Sequence, residues 1–357
     1  MSTPHARGPG NAAAPSPPAR PQRHALLVRP GAAFRCFADG LCCSSIHLLG
    51  PVSAAELIPV KRLHRDPVFY DSSIRAKVFR FKDDGTCVFL RPDHLCGVHA
   101  QLGVEGKPDT CRKFPFALVA TPVGRRVVTA HRCSCRTLGE RPALTPAAVE
   151  EEIRIPGKVL RAERSMLGRI SLTSRRHVGF ATYLAEEAPW LAALAAGRDP
   201  FTVLARKPFP RLRGRSWRDV AKEFHEQEDD SAYELAKSWF ADAILAVTAG
   251  VRFPHRGRPW ARFFDKAEAR ATTVRRPRDM YNDWLADVIW SFEWTDHGTF
   301  ARARRELATR LAMAQAIAAA LTRKGVRADR ATAEALMIIE DIGTTEAWEA
   351  VVALMPP

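Results

Sequence analysis

Apolar residues recur at intervals of three and four along much of the second half of the chain. Ala232, Leu235, Ala236, Trp239, Phe240, Ala243, Ile244 and Val247 make one such stripe; Tyr281, Trp284, Leu285, Val288, Ile289 and Phe292 make another. Residues three and four apart share one face of a helix, so each stripe predicts an amphipathic helix with that face in a core. Residues 300–321 predict a longer helix, closed by Arg323-Lys324-Gly325, a basic last turn followed by the residue that best ends a helix. Short helices are predicted over 334–339 and 346–355. A further start lies at Thr145-Pro146, a cap and a Pro suited to the first helical position, with Glu150, Glu151 and Glu152 in the early turns.

Residues 25–142 follow another pattern, with short apolar runs broken by turns. One short helix is predicted over 54–63, capped by Ser53. Residues 77–81 and 86–90 flank Asp83-Asp84-Gly85, and such an Asp-Gly turn predicts a hairpin. A second hairpin is predicted from Phe116–Thr121 and 126–130 around Pro122-Val123-Gly124. The expected fold class is α+β: a small, metal-bound, cysteine-rich domain of strands and turns over 25–142, then an all-α domain over 143–357. Residues 1–24, rich in Pro, Ala, Gly and Arg, are expected to be a disordered tail. The Gly8-Pro9-Gly10 within them has no strand before it or helix after it and is no nucleotide-binding signal.

Composition narrows the classes. The apolar share of 46% and the charged share of 26% are those of a soluble globular protein. The longest apolar stretches, near 243–251 and 311–321, are shorter than the ~18–20 residues of a membrane span, and no apolar signal-peptide core opens the chain. A cytoplasmic protein without a membrane partner is therefore expected. The net charge of +15 is spread along the chain and accompanies no nucleic-acid-binding motif, so nucleic acid is not an expected partner.

Cysteine placement changes the picture most. All eight, Cys36, Cys42, Cys43, Cys87, Cys96, Cys111, Cys133 and Cys135, lie within one stretch of about a hundred residues. Clustered thiols in a cytoplasmic protein point to metal or redox chemistry; four disulfides in an exported domain is the competing reading, opposed by the missing signal peptide. The cysteines fall in four blocks: Cys36-Phe37-Ala38-Asp39-Gly40-Leu41-Cys42-Cys43; Cys87-Val88-Phe89-Leu90 with Cys96-Gly97-Val98-His99; Pro108-Asp109-Thr110-Cys111-Arg112-Lys113-Phe114-Pro115; and His131-Arg132-Cys133-Ser134-Cys135.

The first three of these blocks, in this order, resemble the YkgJ-type cysteine-cluster family, a group of zinc- or iron-chelating domains that includes the flagellin lysine N-methylases. The resemblance covers roughly 34–135. It departs at Asp39, which stands where the family has its second cysteine. Asp is a harder donor than thiolate, so it either ligates in that place or only shapes the turn before Gly40.

The candidate metal ligands are Cys36, Asp39, Cys42, Cys43, Cys87, Cys96, His99, Cys111, Cys133 and Cys135, with His131 and His47 the next histidines by position. That is more than one four-coordinate ion can use, so two zinc ions or one iron–sulfur cluster with spare thiols both fit. The spacing matches neither the radical-SAM triplet nor the ferredoxin run. Arg112 is expected to pair with a carboxylate or with the charge of the cluster.

Two functions follow. The resemblance implies a protein-modifying enzyme like the flagellin lysine N-methylases, with a protein substrate and S-adenosylmethionine as cosubstrate. No Rossmann-type glycine-rich loop is present to bind that cosubstrate. Alternatively the metal is structural and the protein is a binding module. The tryptophans Trp217, Trp239, Trp284, Trp290 and Trp294 are expected in the core rather than along a groove.

Overall fold

The computed structural model describes residues 25–72, 74–155, 160–227, 229 and 231–357. The tail expected over 1–24 lies outside the described residues. The fold is mixed, with helix predominant and small sheets, consistent with the α+β expectation.

Strands β1 (Leu26–Val28), β2 (Val68–Asp71), β3 (Ala76–Phe79), β4 (Phe116–Thr121), β5 (Gly124–Thr129) and β6 (Arg164–Ser165) form two sheets. In the larger, β4 and β5 are the second predicted hairpin, paired from Phe116↔Thr129 to Thr121↔Gly124 around Pro122 and Val123. β1 runs parallel to β5 on one side and β6 parallel to β4 on the other. The sheet thus draws an edge from each side of residue 143.

The first predicted hairpin forms differently. Residues 77–79 lie in β3, and β3 pairs antiparallel with β2, not with 86–90. The Asp-Gly turn is present, with Gly85 at φ +74° and its N–H donating to the Lys82 carbonyl. Beyond it the pairing is one bridge, Phe81↔Cys87, and the chain turns away. Cys87 N–H instead donates to the Cys43 carbonyl at 2.7 Å, which fastens two cysteine blocks together.

Short helices complete this region: α1 (Ala54–Lys61), α2 (Gly97–Leu102), α3 (Asp109–Lys113), α4 (Ser134–Thr137) and α5 (Pro146–Ile153). α1 has the expected Ser53 cap, closed into a capping box by Glu56. α5 has the Thr145 cap and the Pro at its start.

The remaining helices are α6 (Phe180–Ala195), α7 (Pro200–Leu204), α8 (Trp217–His225), α9 (Ala232–Ala249), α10 (Ala261–Arg270), α11 (Pro277–Ser291), α12 (Phe300–Arg323), α13 (Ala328–Gly343) and α14 (Glu346–Ala353). The predicted stripes are the buried faces of α9 and α11. Trp239, Trp284 and Trp294 are buried in the helical core, and Trp217 packs against it half-buried. α13 corrects the expectation of a short helix over 334–339. Burial runs from Asp329 through Gly343, so its polar face is buried rather than solvated, and the charged residues on it have partners.

The core does not stop at residue 143. Leu41, Ile46, Val119 and Leu138 pack in the same cluster as the helices. A smaller cluster of Leu49, Val52, Leu57, Val60, Val68, Phe79, Phe89, Leu90 and Val98 lies beneath the cysteine blocks, with Cys87 in it and Cys43, Cys96 and Cys111 against it.

Candidate metal centre

Each cysteine is placed by a short turn or helix end. Gly40, at φ +89°, opens the turn Leu41–Cys43 that carries Cys42 and Cys43. A side chain at Gly40 would meet Leu90 at 3.4 Å and Phe263 at 3.5 Å in a backbone region L-residues avoid. Cys96 and Cys133 are the residues immediately before α2 and α4, Cys111 lies in α3, and Cys135 lies in α4.

These turns bring all eight cysteines to one cavity of about 340 Å³, also lined by Asp39, His47, His94 and His99. None is in a disulfide. Two sets emerge from which sulfurs face which. Cys43 feels the charge of Cys87, Cys96 and Cys111, and Cys87 and Cys111 each feel Cys96. Cys36 hydrogen-bonds with Cys135, and Cys135 with Cys133, while Cys42 feels Cys36. The sets meet at Cys42 and Cys43, whose Sγ atoms are 3.9 Å apart. Cys111 also feels Cys42, so the sets are not separate, and among the described residues no three of the sulfurs lie mutually within 4.8 Å.

The surroundings hold most of these groups as neutral thiols. Burial pushes Cys87 and Cys111 up to about 12. The hydrogen bond with Cys135, then burial, raises Cys36, and its contact with Cys43, then burial, raises Cys42. Cys36 and Cys42 open to the cavity, reachable by solvent yet surrounded by protein. Cys43 and Cys133 are also raised, since burial and like charge outweigh a neighbouring thiol bond that pulls the other way. A cation among these sulfurs reverses that balance, because it favours thiolate over thiol. Eight free thiols around one cavity are soft donors of the kind that zinc and iron take.

Asp39 is buried and fully engaged. Its Oδ1 accepts the Leu41 N–H at 2.9 Å, and its Oδ2 accepts from Ser134 Oγ at 2.6 Å and Cys135 Sγ at 3.2 Å. It shapes the turn and also touches the sulfur set. His99 is exposed on α2 at the cavity edge. Arg112 pairs with Asp109, a carboxylate partner, and donates from Nε to the Ile153 carbonyl.

His131 faces away from the sulfurs. It is buried with Nε2 2.7 Å from Asp287, beside Asp283. Among the described residues this is the one His/Cys/Asp/Glu group whose ligand atoms all lie within 4.8 Å. Its oxygens are already taken: Arg29 and Arg136 reach both carboxylates, Arg275 reaches Asp283, and Thr129 reaches Asp287. Three arginines against two carboxylates would repel a cation, so this is an ion-pair cluster.

Some cavity-wall features had no sequence signal. Arg132 Nη1 reaches Asp341 at 3.2 Å, and Asp341 also meets His47. Arg141 donates to the Cys135 carbonyl at 2.9 Å and lies over the Phe37 ring. Such pairs join positions more than a hundred residues apart or depend on loop shape, which no period encodes.

A second cavity of about 710 Å³ shares Thr110, Phe114, Pro115, Phe116 and Arg132 with the first. Its lining is acid-rich, including Glu56, Asp109, Glu163, Glu293, Asp296 and Glu340. No protein-family model, curated protein or solved structure matches the chain.

Proposed function

We propose that this protein binds zinc or iron, as ions or as an iron–sulfur cluster, through the cysteines of 36–135. The supporting observation is that eight free thiols from four separated blocks line one cavity. Cys36, Cys42, Cys133 and Cys135 are the sulfur donors available to one centre, with Asp39 beside it; Cys43, Cys87, Cys96 and Cys111 are those available to the other. Bound there, the metal supplies either cross-links or redox and Lewis-acid chemistry. Anaerobic purification with metal analysis and a visible spectrum tests this. Charge-transfer absorption with iron and acid-labile sulfide marks a cluster; a colourless protein with about two zinc per chain marks structural ions. A chain that takes up neither metal overturns the proposal.

The second reading, an enzyme resembling the flagellin lysine N-methylases, draws on one observation: the acid-rich cavity shares a wall with the cysteine cavity, so a basic side chain of a protein substrate would lie beside the centre. Equilibrium binding of S-adenosylmethionine to the metal-loaded protein separates the readings, since a structural metal requires none.

A further inference from the structure

We infer that His47 is a nitrogen ligand of the metal centre, held in place by Asp341 from the helical region; this rests on the metal-binding reading above. His47 is only 6% exposed and lines the cysteine cavity four residues after Cys43. Its Nδ1 lies 3.1 Å from the Asp341 carboxylate, which also accepts from Arg132. A carboxylate has only acceptors to offer, so Nδ1 carries the hydrogen, and in the neutral ring Nε2 carries the lone pair. That Nε2 is buried and has no hydrogen-bond partner. Buried polar atoms are rarely left unpaired, and although His131 Nδ1 is unpartnered too, only His47 of the two lines the sulfur cavity.

The arrangement is that of a ligating histidine, whose second nitrogen is fixed by a carboxylate that sets both tautomer and ring orientation. The Phe114 ring, 5.5 Å from the imidazole, limits its rotation. The remaining lone pair belongs to a ring in the wall of a cavity whose other donors are sulfurs. A bound zinc or iron ion would satisfy it. The inference also gives α13 a role, because Asp341 ties the position of one donor to the helical core.

The full-length protein is stripped and reloaded with cobalt(II), a spectroscopic stand-in for zinc, and release to a chelator is timed. His47→Ala is expected to shift the visible cobalt bands toward an all-sulfur environment and to weaken binding at least tenfold. Asp341→Asn should weaken it by about 10–100-fold, the usual effect of removing such a supporting carboxylate. Added imidazole should partly restore the His47→Ala spectrum, which a packing role would not do. If His47→Ala fails to fold, His47→Gln is read instead. An unchanged spectrum and release rate in the folded variant overturns the inference. Wild-type protein that takes up no cobalt, zinc or iron instead overturns the metal-binding reading, and this inference with it.

Discussion

The cysteine region and the helical region are held together by different means. The helices α9, α11, α12 and α13 bury continuous apolar faces against one another, with Trp239, Trp284, Leu307, Leu311 and Ile338 at the centre. The cysteine blocks have a small cluster beneath them, single β-bridges and turns. Between them lies a layer of buried ion pairs: Arg29 and Arg136 with Asp283 and Asp287, and Arg126 with Glu187. The apolar cluster under the cysteines is the smaller one, and the ion-pair layer ties that region to the helical core.

The largest effect should come from removing metal. Structural zinc contributes roughly 10–16 kcal/mol in small metal domains. After chelation, limited proteolysis is therefore expected to cut 36–115 first, while α9 and α11–α13 persist. Equal digestion of both would make the regions one cooperative unit.

Next comes the ion-pair layer. Asp287→Ala takes from His131 its carboxylate partner and from Arg29 and Arg136 one of the two carboxylates they share, and should cost about 3–5 kcal/mol, measured by denaturant unfolding. Burial alone would raise Asp287 and Asp283, but the neighbouring arginines win and hold both below the usual carboxylate range. A folded value below the unfolded one contributes stability above about pH 3.9 that is lost as pH falls through the folded value. Wild-type stability should therefore drop steeply below pH 4, and less steeply in Asp287→Ala.

Asp39→Ala removes three hydrogen bonds in the cysteine region. We expect a loss of about 1–3 kcal/mol. If the carboxylate only shapes the turn, metal content stays whole; if it ligates, metal is lost as well, and Asp39→Cys retains it. Metal per chain, measured side by side for the two variants, decides.

The smallest effect is at Glu340. Burial, then Glu293, pushes its carboxyl up to about 8, although Arg132 opposes this. A raised folded value contributes stability that is present below about pH 4.3 and lost as pH rises through about 8. Glu340→Gln should consequently gain on wild type as pH rises from about 5 to 9, with no gain at pH 4. Thermal melts across that range would show it, and a pH-independent difference would contradict it.

Local pattern made much of this molecule legible. The faces of α9 and α11, the Ser53 and Thr145 caps and the β4–β5 hairpin follow from period, capping chemistry and turn residues, all of which act within a few positions. That the cysteines belong together was also legible, because thiols are scarce and fall in short blocks, and all eight line one cavity. Three matters depended on the tertiary structure. The partner of β3 was decided by β2, since the sheet ladder is non-local. The full length of α13 was hidden because its polar residues are buried with distant partners. The meeting of the thiol sets at Cys42 and Cys43, and the turning of His131 toward Asp287 while His47 lines the cavity, were decided by contacts between residues up to nearly three hundred positions apart. Spacing along a chain constrains which donors can meet, but the packing of turns against helices selects which ones do.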